Sequence, residues 1–269
     1  MSDRVRIEYR EGVADVRMTR TDKMNAIDSE MFTALGEAGR ALAADRSVRA
    51  VVLSGEGRAF CAGLDMGSFA AMAGPRSGGG GEADPKLFER SQSGANRAQL
   101  AAWIWQELPM PVIAAIHGVA YGGGLQIALG ADIRLVTADA RLSVMEVKWG
   151  LIPDMSGTQT LRRLVRDDVA KELTFTGRVV SGSEAVALGL ATRVSEKPLD
   201  DALALAREIA GKSPDAVRAA KKLLQASWQG SVADGLLLEE QLQRSLIGKP
   251  NQVEAVKANL EKRAPVFKD

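Results

Sequence analysis

Two glycine-bearing turns hold the residue pattern best suited to chemistry: GRAFCAGLDM, from Gly57 to Met66, and GVAYGGGLQ, from Gly118 to Gln126. Each follows an apolar run that reads as a strand, so each puts small residues where the chain leaves a sheet. Glycine there lets a ligand approach the backbone closely. The second turn also opens a helix whose first N–H groups lack internal partners. Either turn alone is more often a tight turn than an anion site. Two N–H donors converging on one carbonyl oxygen would form an oxyanion hole, lowering a barrier by about 2.7–4 kcal/mol per donor. That arrangement suits enolate chemistry on a thioester. Two other reactive residue types sit close by. His117, the only histidine, lies in the strand-to-turn segment before the triple glycine and reads as a structural hydrogen-bonder. Cys61, the only cysteine, has no evident base and reads as packing.

The composition restricts the alternatives. Lysine and arginine number 35 against 34 aspartate and glutamate, so nothing global draws the chain to nucleic acid or membrane. A local basic patch for a nucleotide-bearing ligand stays compatible with that balance. With one histidine and one cysteine, any metal site would need oxygen ligands almost throughout, which argues against zinc. The amino terminus lacks the apolar core of a signal peptide, and no apolar run approaches the roughly 20 residues that span a bilayer. The expectation is a cytoplasmic protein.

The elements that would position the turns follow from periodicity. Val5, Ile7 and Tyr9 alternate as in a strand, and Val13, Val16 and Met18 continue less regularly. Asp28 and Ser29 can cap a helix running to about Ala44, with Met31, Leu35, Ala38 and Leu42 on one face. Ala50 to Ser54 reads as a buried strand. Gly74 to Gly81 reads as a surface loop. Helical pattern resumes near Leu87 and runs to about Leu108, where Pro109 and Pro111 end it. Strands are expected over Val112 to Ile116, Ile133 to Val136 and Leu142 to Val144. From Ser156 onward the pattern is helical, apart from a short strand piece near Thr192 to Val194. Strands alternating with helices, then a helical tail, imply an α/β core with a helical subdomain. Trp103, Trp105 and Trp149 read as core or interface packing, with an acyl pocket as the alternative.

The two turns, together with DKMNAID (Asp22 to Asp28) and MEVKWGLIPDMSGTQ (Met145 to Gln159), resemble the enoyl-CoA hydratase/isomerase, or crotonase, superfamily. The likeness runs to the terminal EKRAPVFKD (Glu261 to Asp269). It implies a core of repeated ββα units over residues 1–195 and a helical trimerisation region over 196–269. It also implies a homotrimer or a dimer of trimers. By the same resemblance the oxyanion donors are the N–H groups of Leu64 and Gly123, and the CoA adenine lies along Ala59 to Ala62. Lys23 is a candidate for the surroundings of the CoA phosphate and adenine, as are Phe267 and Lys268 from a neighbouring subunit. The substrate is an acyl-CoA thioester; no metal or redox cofactor is implied, CoA being part of the substrate.

Family hydratases usually present two glutamates that position a water and move its protons. Here the first position holds Gln126, which can hydrogen-bond a water in the pocket but cannot take its proton. The second holds Glu146, the candidate general base or acid. Ser156 replaces the first glycine of the family's GGTQ stretch, and Asp154 stands where many hydratases carry glycine. An acid at that position resembles the dienoyl-CoA isomerases, which move protons with two carboxylates, although they commonly carry a third acid where this chain has Gln126. Read without the resemblance, Glu146 is a salt-bridged or surface carboxylate and Asp154 a turn or helix-cap residue after Pro153. The favoured expectation is therefore double-bond isomerisation of an unsaturated acyl-CoA by Glu146 and Asp154. The rivals are a 2-enoyl-CoA hydratase and a non-catalytic homologue that binds CoA esters or RNA.

Overall fold

The computed structural model describes residues 3–68, 90–91, 93–228 and 230–269. The chain opens with an antiparallel pair, β1 (Val5–Arg10) and β2 (Val13–Met18). Helix α1 (Ser29–Ala44) follows, and the Asp28 carboxylate accepts the Met31 N–H at 2.8 Å as its N-terminal cap. Its face of Met31, Leu35, Ala38 and Leu42 is buried, as the spacing requires. Parallel strands β3 (Ala50–Gly55), β4 (Val112–Ile116), β6 (Ile133–Val136) and β9 (Arg193–Val194) then extend the sheet in the order β1-β2-β3-β4-β6-β9.

The unbroken apolar runs of β3 and β4 are explained by burial on both faces. Val51, Leu53, Ala114 and Ile116 point into one core layer, where α1 and α2 (Arg97–Glu107) pack with Leu35 and Trp105. Their alternates, Val52, Ile113 and Ala115, point the other way, where helix α7 (Pro198–Ala210) lays Ala202, Ala206 and Ala210 against the sheet. Small alanines let that helix approach closely.

A second sheet, in the order β5-β7-β8, is formed by β5 (Val119–Tyr121), β7 (Arg141–Ser143) and β8 (Val180–Ser181). The short helix α3 (Gly123–Leu129) starts directly after β5. Beyond β7 come α4 (Gly157–Leu164), α5 (Asp167–Thr176) and α6 (Gly182–Leu188). After α7, the helices α8 (Pro214–Ser227), α9 (Val232–Leu246) and α10 (Pro250–Leu260) complete the chain, three of these last four starting with proline at their first position. Among the described residues no helix is long and apolar enough to cross a membrane.

Two expectations change. The helix expected to end near Leu108 is described from Arg97, where Asn96 and Gln99 form a reciprocal capping box that sets its start; the expected beginning near Leu87 lies outside the described residues. Strands β5 and β8, three and two residues long, were not expected, since each takes its strand conformation from pairing with β7. The Gly74 to Gly81 stretch lies outside the described residues.

Candidate active site

The two glycine turns meet at the carboxyl-terminal ends of β3 and β4. Leaving β3, the chain runs alongside β5: the Cys61 N–H donates to the Val119 carbonyl at 3.0 Å, and the Tyr121 N–H donates to the Cys61 carbonyl at 3.1 Å. On its other side the same segment bridges the chain before α1. The Ile27 N–H donates to the Gly63 carbonyl at 2.8 Å and the Asp65 N–H to the Ile27 carbonyl at 3.0 Å. In that parallel bridge Ile27 engages the residues flanking Leu64, so the Leu64 N–H points away from Ile27.

The start of the second turn is close. At Gly63, which adopts a left-handed φ of 89°, a Cβ would stand 2.7 Å from the Tyr121 carbonyl oxygen and 3.9 Å from the Gly123 nitrogen. Only glycine permits that approach. At Gly124 a Cβ would strike the Cys61 carbonyl oxygen at 2.4 Å, so the start of α3 is pressed against the first turn. Neither the Leu64 nor the Gly123 N–H has a hydrogen-bond partner among the described residues.

Glu146 opens a 3-10 turn, Glu146–Trp149, after β7 and is only 9% exposed. Its Oε1 lies 3.3 Å from where a Cβ on Gly122 would be, which sets the carboxyl against the triple-glycine backbone. Oε1 accepts an N–H from the Gln126 side chain at 2.5 Å, while Oε2 is buried with no partner among the described residues. Burial pushes the Glu146 carboxyl above the usual range. Nearby backbone N–H groups and the Gln126 amide oppose that rise, and the charge of Asp154 adds to it. Asp154 itself is exposed, in the loop before α4.

Gln126 is 2% exposed, and its carboxamide oxygen accepts the N–H groups of Met155 at 2.9 Å and Gly157 at 2.8 Å. The oxygen that could have held a water is thus occupied twice. Ser156, between those two donors, adopts a left-handed φ of 66°, and its buried hydroxyl has no partner among the described residues. Met155 and Ile27 form an apolar wall beside the Gly123 amide: a Cβ there would meet Met155 Sδ at 2.7 Å and Ile27 Cδ1 at 3.0 Å.

The remaining candidates sort by position. Cys61 is buried and donates to the Asn25 carbonyl at 3.1 Å, and burial pushes its thiol up to about 12, so it packs rather than attacks. His117 Nε2 lies 3.0 Å from the Gly57 carbonyl oxygen and holds the first turn. Trp105 is fully buried in the core. Ala59 is buried and Ala62 half-buried in the first turn, and Lys23 is exposed in the turn before Met24. Phe267 and Lys268 are elsewhere in this chain. The Phe267 carbonyl accepts from Arg49 at 3.0 Å and the Lys268 backbone pairs with Asn251, at the amino-terminal end of β3, opposite the glycine turns.

Three supporting residues escaped the sequence reading. Arg20 donates to Asp65 at 2.8 Å and to the Ala26 carbonyl at 3.1 Å, pinning the parallel bridge between Ile27 and Leu64. Asn25, fully buried, donates to the carbonyls of Glu56 and Ala59 at 3.0 and 2.9 Å. Met155 lines the wall. The signal available for the first two was the polar content of the segment before Ile27, within TRTDKMNAID.

A ββα core in which two glycine turns and a buried carboxylate come together at the strand ends defines a crotonase-type protein. Residues 8–269 match the family model Enoyl-CoA hydratase/isomerase, and the chain belongs to that family. It is 34% identical to the mitochondrial methylglutaconyl-CoA hydratase of Mus musculus over 277 residues, covering 99% of this chain and 84% of the relative. Among solved structures, the enoyl-CoA hydratase of Mycobacterium smegmatis superposes with a TM-score of 0.84 at 33% identity, covering 98% of this chain and 99% of the other. That of Bacillus anthracis gives a TM-score of 0.86 at 30% identity, with the same coverage. The protein is an acyl-CoA-processing enzyme of the crotonase superfamily.

Proposed function

We propose that the chain is a double-bond isomerase acting on an unsaturated acyl-CoA. One observation carries this reading: among the described residues a single buried carboxyl, Glu146, faces the glycine backbone with one oxygen unpartnered, and its closest polar side-chain partner is an amide. Two-carboxylate hydration needs a second proton acceptor at that place, and Gln126 cannot serve.

In the proposed reaction the thioester carbonyl oxygen accepts the N–H groups of Leu64 and Gly123. Glu146 Oε2 takes a proton from the α-carbon, and the C–H electron pair forms a dienolate whose charge rests on the held oxygen. Each donor supplies about 2.7–4 kcal/mol toward that charge. Reprotonation at the γ-carbon, by Glu146 or by Asp154, leaves the double bond one position closer to the carbonyl. The raised proton affinity of Glu146 brings its titration closer to neutral pH, where a carboxyl can both take and return a proton.

CoA would lie along Ala59 to Ala62 beside Lys23, with Phe267 and Lys268 supplied by a neighbouring subunit. Residues 196–269 would form the trimerisation region. Exposed Leu236 and Leu237 on α9 and Leu260 on α10 support assembly, since such side chains normally seek cover. A 2-enoyl-CoA hydratase is the second reading. It is favoured by the hydratase names of the relatives, and in it the remaining Gln126 N–H would hold the water. Purified protein offered a 2-enoyl-CoA, a 3-enoyl-CoA and a 3,5-dienoyl-CoA separates the two. Migration of the double bond is expected; fast water addition without migration rejects the isomerase.

A further inference from the structure

We propose that Gln126 is a positioning residue that dictates which oxygen of Glu146 carries the proton and confines the site to one titrating carboxyl. The inference deepens the reading of Glu146 as the proton carrier and rests on it only for the catalytic consequence.

The orientation of a carboxamide is settled when one end meets groups that only donate. Here the Met155 and Gly157 N–H groups can be met only by oxygen, so the Gln126 NH2 must face Glu146. The fit is close, since a Cβ on Gly157 would stand 2.6 Å from the carboxamide oxygen. With an N–H always presented at 2.5 Å, Glu146 Oε1 is an acceptor in both protonation states. The proton must therefore sit on Oε2, the oxygen that is buried and unpartnered among the described residues.

A glutamate at position 126 would behave differently. Its oxygen toward Met155 and Gly157 would still be satisfied, and as a charged acceptor would be favoured. Its other oxygen would replace the NH2 group against Glu146 Oε1, a contact that two carboxylates tolerate only by sharing a proton. Protons would then leave the pair in two steps belonging to both residues.

Other charged groups around Glu146 do not substitute for this control. Asp154 acts on it from the exposed loop, and Lys148 on its own turn stacks over Trp149 at 5.7 Å. On the packed helix α5 the charges are paired at the surface: Asp167 with Lys171, and Glu172 with Arg178. Asp168 pairs with Arg166, the residue just before that helix.

The test follows the Glu146 carboxyl band by infrared spectroscopy in ligand-free protein from pH 4 to 9, assigned by subtraction of Glu146→Gln. Wild type is expected to titrate in one step. Gln126→Glu is expected to move the last proton up by about two to three pH units, leaving a protonated carboxyl at pH 7. An unchanged single step in Gln126→Glu overturns the proposal. Should that variant not fold, Gln126→Met serves, for which loss of the N–H donor should raise the single step and an unmoved one overturns the proposal. Exchange of the α-protons of butyryl-CoA into D2O tests the proton-carrier reading separately. It should fall about a hundredfold at pH 7 in Gln126→Glu and recover at higher pH. A shifted titration with unaltered exchange would remove Glu146 as the base while leaving the positioning role intact.

Discussion

Two buried charged side chains, Glu146 and Lys221, are held in opposite ways. Lys221 on α8 is 7% exposed, and its ammonium donates to the carbonyls of Trp105 at 3.1 Å and Met110 at 3.0 Å and pairs with Asp132 at 2.7 Å. All three of its protons are used. Asp132 in turn accepts the Val112 N–H at 2.8 Å, so the pair stitches α8 to the start of β4. Glu146 is nearly as buried but leaves one oxygen without a partner among the described residues. A buried charge that is fully satisfied secures the fold. One left incomplete is poised for a group that arrives later, and its burial cost is the source of its raised proton affinity.

Substitutions should separate the two sites cleanly. Glu146→Gln is expected to lower turnover of an acyl-CoA substrate about a thousandfold while the protein stays folded, measured by steady-state kinetics and circular dichroism. The same change should raise the melting temperature at pH 8 but not at pH 4. The folded carboxyl binds its proton more tightly than the unfolded one. Its destabilising effect is therefore absent below the unfolded value, near about 4.3, and full above the raised folded value.

Lys221→Met should do the reverse, destabilising by about 3–5 kcal/mol in denaturant titration because Asp132 is left without its cation, with activity per folded molecule nearly unchanged. Asp154→Asn should move the acid limb of the rate profile to lower pH by less than about one unit, since its charge now raises the Glu146 proton affinity. A large loss of turnover instead would mark Asp154 as a proton carrier. Ser156→Gly, which relieves a left-handed serine and a buried unpartnered hydroxyl, should change stability by no more than about 1 kcal/mol, readable as a small rise in melting temperature.

Much of this frame is written locally. The Asp28 cap, the buried face of α1 and the doubly buried β3 and β4 follow from periods and capping rules that a few adjacent residues satisfy. The capping box at Asn96 and Gln99 was equally local, and the apolar pattern before it obscured it. Strands β5 and β8 left no such trace, because two or three residues take their conformation from the strands they join.

The order of glycines, their place at the strand ends and the choice of glutamine over glutamate at position 126 were thus determined by the sequence alone. Which Glu146 oxygen stays free was decided only by tertiary structure. Gln126 reaches Glu146, Met155 and Gly157 across separations of 20, 29 and 31 residues, and no local period carries such contacts. The fold brings three backbone and side-chain groups to one carboxamide, and hydrogen-bond polarity then leaves it a single orientation.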